Sequence, residues 1–174
     1  MSRFTSVPTA LQDLTVIERQ RLGDNRGYFS RFFCADEISA FGQVAQINHT
    51  MTQAKGVIRG LHFQRAPHAE TKFVSCLRGA IFDVAVDLRP ESPTYLQWHG
   101  EILTEENARS LLIPAGFAHG FQTLSENCEL IYVHDMPHAP EAEGGAHPLD
   151  PKLNIAWPLP VSQMSVRDSN FAML

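Results

Sequence analysis

The sequence predicts an all-β fold, a sandwich or barrel built from many short strands. The clearest signal lies in residues 80–88, where side chains alternate with a period of two residues. Turn-forming residues separate the apolar runs roughly every 8 to 12 residues, a spacing typical of sandwiches and barrels. Helix signals are weak, and the best is a short peripheral segment over residues 35–41, where Asp36 and Glu37 favour a helix start.

The individual strands follow from these runs and turns. Arg78 and Gly79 interrupt the longest apolar run as a hairpin turn would, which divides it into strands over 73–77 and 80–88. The turns fall at residues 24–27, 90–93 and 125–127. Further strands are expected at residues 14–18, 28–33, 97–103, 110–113, 120–124 and 129–134. Residues 137–174 are rich in proline and glycine and predict an irregular tail that packs on the barrel.

Length, charge and cysteine content restrict the class of protein. At 174 residues the chain is expected to form one domain, residues 1–174. The formal charge of −5 and the lack of a basic block argue against a nucleic-acid partner. Cys34, Cys76 and Cys128 form no CxxC motif, which suits a reducing compartment. With no targeting segment and no apolar run of about 18 residues, the protein is expected to be soluble, cytoplasmic and without a membrane partner.

Two short motifs carry the chemical signal. Residues 59–64 (RGLHFQ) and 114–121 (PAGFAHGF) each place one histidine among glycines and apolar residues. Because histidine titrates near neutral pH, the pair indicates a proton-transfer site or a metal site. In the second motif Pro114 would end a strand, Gly116 would permit a tight turn, and His119 would point back inside the fold.

The second motif resembles the corresponding motif of the cupins, small barrels of jelly-roll type. In cupins this histidine is often a metal ligand, together with a His-x-His pair and a glutamate. Here the pair would be His62 and Gln64, and Lys72 follows. Glutamine is a weak ligand for a transition metal and an ammonium group repels a divalent ion, so metal binding is disfavoured, although Glu70 or His68 keeps it open.

A closer resemblance appears when both motifs are taken with the rest of the chain. The order of motifs is that of the dTDP-4-dehydrorhamnose 3,5-epimerases, and the match covers nearly the whole sequence. The motifs are DxRGxF at 24–29, NH at 48–49, RGLHFQ at 59–64, Lys72, FDVAVD at 82–87, SPT at 92–94, IPxGFAHGF at 113–121 and WP at 157–158. The resemblance implies a cupin-type jelly-roll barrel and a homodimer with exchanged N-terminal strands. It also implies a nucleotide-sugar substrate and no cofactor or metal.

The implied reaction belongs to the biosynthesis of deoxysugars or polysaccharide precursors. A proton is removed beside the 4-keto group of a nucleotide-linked 4-keto-6-deoxy sugar, at C3, C5 or both, and returned from the other face. By position, His62 matches the base and Asp168 its carboxylate partner. Lys72 matches the residue that faces the keto oxygen, and Tyr132 the acid on the opposite face. Taken alone, Asp168 in a polar tail would predict an exposed cap residue.

The resemblance also supplies binding residues. Arg59 and Arg26 match residues that hold the diphosphate, and in the family one such arginine can come from the neighbouring subunit. Gln46 and Asn48 match polar helpers, and His119 is assigned a supporting role near the site. An arginine is suited to this task because its planar guanidinium group binds phosphate through two hydrogen bonds.

The chain departs from the family pattern close to the expected site. Arg31 stands where a glutamate commonly contacts the nucleotide base. Val133, and then Pro137 and His138, replace a lysine and a pair of tyrosines that lie close to the sugar. Arg31 and His138 are therefore expected to influence which nucleotide and which sugar are bound.

Two other classes of function stay open on the residues alone. A metal-dependent cupin enzyme would use His62 and His119, with Glu70 or His68 as a further ligand. A non-catalytic barrel would bind a sugar nucleotide without exchanging its protons.

Overall fold

A computed structural model describes residues 2–38 and 41–174, which form thirteen strands and two short helices. The strands are β1 Phe4–Pro8, β2 Thr15–Arg19, β3 Arg21–Asp24, β4 Gly27–Ser30, β5 Gln46–Thr52, β6 Ile58–Gln64, β7 Lys72–Arg78, β8 Ala80–Asp87, β9 Trp98–Thr104, β10 Arg109–Ile113, β11 Phe117–Thr123, β12 Cys128–His134 and β13 Glu143–Gly145. A 3₁₀ helix covers Pro140–Ala142 and the helix α1 covers Val166–Ser169. None of the described helices has the length and apolar character needed to cross a membrane.

The strands form two large antiparallel sheets and one hairpin. The first sheet has the order β1-β2-β10-β7-β12-β5, the second has the order β13-β6-β11-β8-β9, and β3 pairs only with β4. Apart from β1–β2 and β8–β9, neighbouring strands of the two large sheets are not consecutive in sequence, as expected of a jelly roll. The prediction of an all-β jelly-roll barrel is confirmed.

The core lies between the two large sheets. Fully buried side chains from both sheets meet there, among them Val74, Ile81, Leu111, Phe121 and Leu130. Successive side chains of a strand point to opposite faces, so these residues occupy the inner face of each sheet.

The outer faces of both sheets are also covered. On the first sheet, aromatic residues of the segment after β4, including Phe33 and Phe41, pack on Phe73. On the second sheet, the C-terminal tail covers Val84 and Val86 with Ala146, Leu153 and Trp157. This third layer explains the nearly continuous apolar run of β8, because both of its faces are buried.

Several sequence predictions differ from the structure. Residues 35–37 form a turn rather than a helical segment, and residues 39 and 40 of the predicted helix lie outside the described residues. The tail is not wholly irregular, because it contributes β13, the 3₁₀ helix and α1. The predicted strands are present with shifted ends. Strands β1, β3, β5, β6 and β13 were not predicted, because proline, glycine and polar residues mask their periodicity.

The two histidine motifs lie on neighbouring strands of the second sheet. His119 of β11 is directly opposite His62 of β6, and the register shifts between His119 and Phe121. At this point a Cβ atom on Gly60, whose φ is +128°, would lie 2.6 Å from Gly120 Cα. Only glycine allows the two backbones to approach so closely. Gly116 also has a positive φ, +89°, so the expected turn before His119 is present.

Candidate active site

A cavity of about 290 Å³ opens between the two large sheets and collects most of the residues predicted for the site. Strands β6 and β11 of the second sheet form one wall, and strands β5, β7 and β12 of the first sheet form the other. Eight of the predicted site residues line it: Gln46, Asn48, Arg59, His62, Lys72, His119, Tyr132 and His138. Residues that alternate along a strand, such as those of β5, share a face and therefore reach the same cavity.

Asp168 lies behind His62 and completes a histidine–carboxylate pair. His62 Nε2 is 2.8 Å from Asp168 Oδ1, and the Gly60 backbone N–H donates to Asp168 Oδ2 at 3.1 Å. Because Nε2 contacts the carboxylate, Nδ1 is the ring nitrogen left to accept a proton from a ligand. The ring of Phe171 packs edge-on against His62, with centroids 5.8 Å apart.

The local sequence of the tail brings Asp168 to this position. Ser165 is the N-cap of α1, and its hydroxyl accepts a hydrogen bond from the Asp168 backbone N–H at 3.0 Å. Asp168 is only 3% exposed, so the expectation from its sequence context of an exposed cap residue is wrong. Burial favours a raised pKa, but hydrogen bonds from His62 and Gly60 outweigh it and hold the pKa of Asp168 below its usual value.

Lys72 is buried on the opposite wall, with its charge paired. Its Nζ lies 3.1 Å from Glu70 Oε1 and donates to the His62 backbone oxygen at 3.3 Å. Glu70 Oε2 lies 2.8 Å from His134 Nδ1. Burial favours a raised pKa for Glu70, but His134 and Lys72 together hold it below its usual value. Lys72 therefore presents a fixed positive charge to the cavity, not the solvated side chain that is usual for lysine.

Tyr132 lines the cavity and also packs against the hydrophobic core. Its ring is stacked on His134 at a centroid distance of 6.1 Å and meets His119 edge-on at 5.9 Å. Burial, assisted by the nearby carboxylate of Asp83, raises the pKa of the Tyr132 hydroxyl above its usual value. The hydroxyl therefore stays protonated at neutral pH, which is the state that a proton donor needs.

His119 belongs to a second, fully buried histidine–carboxylate pair. Its Nε2 is 2.7 Å from Asp83 Oδ1, and the two residues are 5% and 0% exposed. Its backbone lies opposite His62 and its ring contacts Tyr132, so His119 lies between the two candidate proton carriers.

The remaining predicted residues line the rim. Arg59 also borders a second cavity of about 610 Å³, which shares His62 with the first and extends toward α1. Gln46 Oε1 accepts a hydrogen bond from the His138 backbone N–H at 2.8 Å. The His138 ring lies 3.1 Å from Glu143. Asn48 Nδ2 is 3.4 Å from His134 Nε2.

Arg26 and Arg31 do not reach either of these cavities within one chain. Arg26 is at the tip of the β3–β4 hairpin, where its exposed guanidinium group pairs with Asp24 at 2.6 Å. Arg31 pairs with Glu37. The sequence alone did not show near which subunit's cavity each arginine lies, because this depends on the direction in which the β3–β4 hairpin projects.

Sequence reasoning missed several residues that the fold brings to the site. Glu70 was considered only as a metal ligand, while His134, Glu143 and Asp83 were not assigned to the site. The sequence did contain a usable signal. Glu70 lies two residues before Lys72, and His134 lies two residues after Tyr132, in or beside a strand. Each therefore points to the same face of the sheet as a predicted site residue.

The alternative metal site does not assemble. Among residues 2–38 and 41–174, no group of three histidine, cysteine or acidic side chains is placed to hold a metal ion. The Nε2 atoms of His62 and His119 each contact a different carboxylate, and Glu70 is bound by Lys72 and His134.

A jelly-roll barrel that gathers a histidine–aspartate pair, a buried lysine and a protonated tyrosine around one cavity has the groups that a carbohydrate epimerase requires, a base, an acid and a positive charge. Comparison with known proteins narrows this class. The sequence profile of the dTDP-4-dehydrorhamnose 3,5-epimerases matches residues 8–174. The chain belongs to this family.

Individual relatives agree with that assignment. The dTDP-4-dehydrorhamnose 3,5-epimerase of Salmonella typhimurium is 40% identical over 173 residues, which cover 97% of this chain and 94% of the relative. The Bacillus anthracis enzyme of the same name, crystallised with TDP and PPi, superposes with a TM-score of 0.95 at 36% identity, over 98% and 99% of the two chains. A Legionella pneumophila dTDP-6-deoxy-D-glucose-3,5-epimerase, solved with dTDP-4-keto-L-rhamnose, gives a TM-score of 0.89 at 42% identity, over 95% and 90%.

The low pKa of Asp168 predicts how acid affects stability. At neutral pH we expect Asp168→Asn to lower the free energy of unfolding by about 1–3 kcal/mol, because the ionised carboxylate accepts two hydrogen bonds. The pKa is lower in the folded chain than in the unfolded chain, so this stabilisation is complete above about pH 4 and is lost as the pH falls through the folded value.

Urea unfolding of the wild type and the variant from about pH 5 to about pH 2 measures this effect. The difference between the two proteins is expected to shrink as the pH falls. Asp36→Asn, on the exposed surface, is the control. A difference that stays constant across this range would contradict the assignment.

Proposed function

We propose that this chain is an epimerase of a thymidine-diphosphate-linked 4-keto-6-deoxy sugar and acts at C3, C5 or both. The observation that carries the proposal is that His62 and Tyr132 come from opposite sheets and line one cavity. Inversion of a carbon centre requires a base on one face and an acid on the other. The dTDP-linked ligands named for the relatives support the choice of nucleotide.

In the first step, His62 Nδ1 takes the proton from the carbon beside the keto group. The electron pair of the broken C–H bond forms the enolate, and its negative charge falls on the former keto oxygen. Asp168 stabilises the imidazolium ion that results, since the two groups are 2.8 Å apart. The Lys72 ammonium group stabilises the enolate oxygen, and such a fixed charge acts strongly in a site shielded from water.

In the second step, the Tyr132 hydroxyl returns a proton to the opposite face of the carbon. The enolate collapses to the ketone with inverted configuration. The tyrosinate then regains a proton from solvent, and His62 releases the one that it took. Every proton and electron pair is accounted for by the side chains and water, so we expect the reaction to need no cofactor.

The second cavity offers a place for the nucleoside diphosphate. It joins the first at His62 and Arg59, so a sugar held beside His62 would place its diphosphate against the Arg59 guanidinium group. We propose this arrangement, with Gln46 and Asn48 at the sugar end. His138, tied to Gln46 and Glu143, would contact the far side of the sugar.

We further propose that the enzyme is a homodimer in which Arg26 acts in the partner's site. The β3–β4 hairpin exposes Tyr28 and Phe29, at 60% and 66%, and carries Arg26 away from the described cavity of its own chain. Strand β5, at the edge of its sheet, exposes Ile47 and Met51. Exposed apolar side chains at a sheet edge favour pairing with another strand.

We expect the enzyme to work in the cytoplasm. Cys34, Cys76 and Cys128 are all free thiols, two of them buried, which suits a reducing compartment.

Deuterium exchange tests the function directly. In deuterated water, NMR should show loss of the C3 or C5 proton signal of dTDP-4-keto-6-deoxyglucose, with exchange at one carbon alone identifying a monoepimerase. His62→Ala should lower this rate about 10² to 10⁴-fold, since it removes the positioned base. His99→Ala, a histidine of β9 that faces Glu101, is the matched control and should keep the wild-type rate. No exchange with dTDP-, GDP- or CDP-linked keto sugars would refute the function.

Tyr132→Phe should separate deprotonation from inversion. The variant keeps the ring that packs on His119 and His134 but lacks the hydroxyl. We expect His62 still to exchange the substrate proton with solvent while the epimerised product forms much more slowly. Product analysis by NMR beside the exchange measurement distinguishes the two steps. Wild-type rates for both steps would show that Tyr132 is not the acid.

Subunit complementation tests the proposed role of Arg26. Arg26→Ala and His62→Ala should each be impaired as homodimers. Co-expressed with two different tags and purified as the mixed dimer, they should regain activity, because one site then holds both native residues. Sedimentation should show a dimer that Phe29→Asp weakens. A mixed dimer that remains inactive would place Arg26 in its own chain's site, and an Arg26→Ala homodimer with the wild-type rate would place Arg26 outside the site.

A further inference from the structure

A chain of polar groups runs along one wall of the cavity, from Lys72 of β7 through Glu70 and His134 of β12 to Asn48 of β5. Glu70 accepts from Lys72 through one carboxylate oxygen and faces His134 Nδ1 through the other, at 3.1 Å and 2.8 Å. His134 Nε2 is 3.4 Å from the Asn48 side chain. The side chains of Lys72, Glu70 and His134 are each 8% exposed, so the chain is almost closed to solvent.

The pairing of Lys72 with Glu70 raises a problem for its proposed role. A carboxylate 3.1 Å from the ammonium group competes with an enolate oxygen for the same positive charge. A buried carboxylate with one oxygen unpartnered is also costly, and its position would be poorly fixed. A second donor on the other oxygen removes both difficulties, because it takes up part of the negative charge and fixes the plane of the carboxylate.

His134 is placed to be that donor. It lies on β12 directly opposite Lys72 of β7, so the backbone register brings both side chains to Glu70. The ring orientation is fixed by stacking on Tyr132, at an interplanar angle of 24°. A donor held in this way loses little conformational entropy on forming its hydrogen bond.

We propose that His134 is a positioning residue for Lys72. Acting through Glu70, it orients the lysine ammonium group and leaves it available to the enolate oxygen. The inference rests on the proposed role of Lys72 and deepens it, since it names the group that keeps a paired lysine effective. Because His134 also stacks on Tyr132, it contacts the proposed acid on the same wall.

Two substitutions of His134 separate the hydrogen bond from the packing. His134→Phe keeps an aromatic ring beside Tyr132 but removes the donor to Glu70. His134→Asn loses the ring but places an amide N–H where Nδ1 was. We expect the Phe variant to lower kcat about tenfold or more with little change in KM, as for the loss of a hydrogen bond to a charged group. The Asn variant should retain most of kcat.

Glu70→Gln completes the test as a double-mutant cycle. If His134 acts through Glu70, His134→Phe should have little further effect on kcat in the Glu70→Gln background. Equal losses in the Phe and Asn variants would overturn the inference, as would full kcat in the Phe variant or additive effects in the cycle. Circular dichroism verifies that each variant is folded. If a His134 variant does not fold, Glu70→Gln alone tests the role of the Lys72–Glu70 pair, and it should also lower kcat.

The same assay distinguishes this inference from the proposed function. Lys72→Met should abolish proton exchange in an otherwise native enzyme. Suppose that the wild type exchanges the proton, Lys72→Met does not, and His134→Phe keeps the wild-type kcat. That result would remove the inference about His134 and leave the proposed function intact. Absence of exchange in the wild type would remove both.

Discussion

The hydrogen bond between His62 and Asp168 joins residues that are 106 positions apart and orients the His62 ring toward the cavity. It attaches the C-terminal tail to β6, because Asp168 also accepts from the backbone of Gly60. The tail covers the outer face of the second sheet, so the proposed base is positioned by the same segment that buries Val84 and Val86. This contact between tail and barrel therefore joins the packing of the tail to the proposed chemistry of His62.

The two walls of the cavity carry different chemical groups. The wall with β6 and β11 carries two histidines, each held by an ionisable carboxylate, Asp168 or Asp83. The wall with β7 and β12 carries the buried charge of Lys72 and the hydroxyl of Tyr132. A planar enolate between these walls would meet the base on one face and the proton donor on the other, as inversion demands.

Burial and neighbouring polar groups together set the protonation states on which this arrangement depends. Tyr132 keeps its proton because burial and the Asp83 charge oppose ionisation. Asp168 and Glu70 lose theirs because charged or polar donors overcome the cost of burial. Tyr132 is thus held protonated by burial and a neighbouring charge, whereas the two carboxylates are held ionised by their hydrogen-bond partners.

The sequence by itself determined the all-β class, the hairpin at residues 73–88 and the turn before His119, because these follow from local periodicity and backbone preference. The order of the motifs also predicted His62, Lys72, Tyr132 and Asp168 as site residues, and the structure places them in or beside one cavity. Only the tertiary structure decided that Asp168 is buried, that Glu70 serves Lys72 rather than a metal, and that His134 belongs to the site. These outcomes depend on which strands become neighbours, and strand pairing is set by long-range burial that no local pattern encodes.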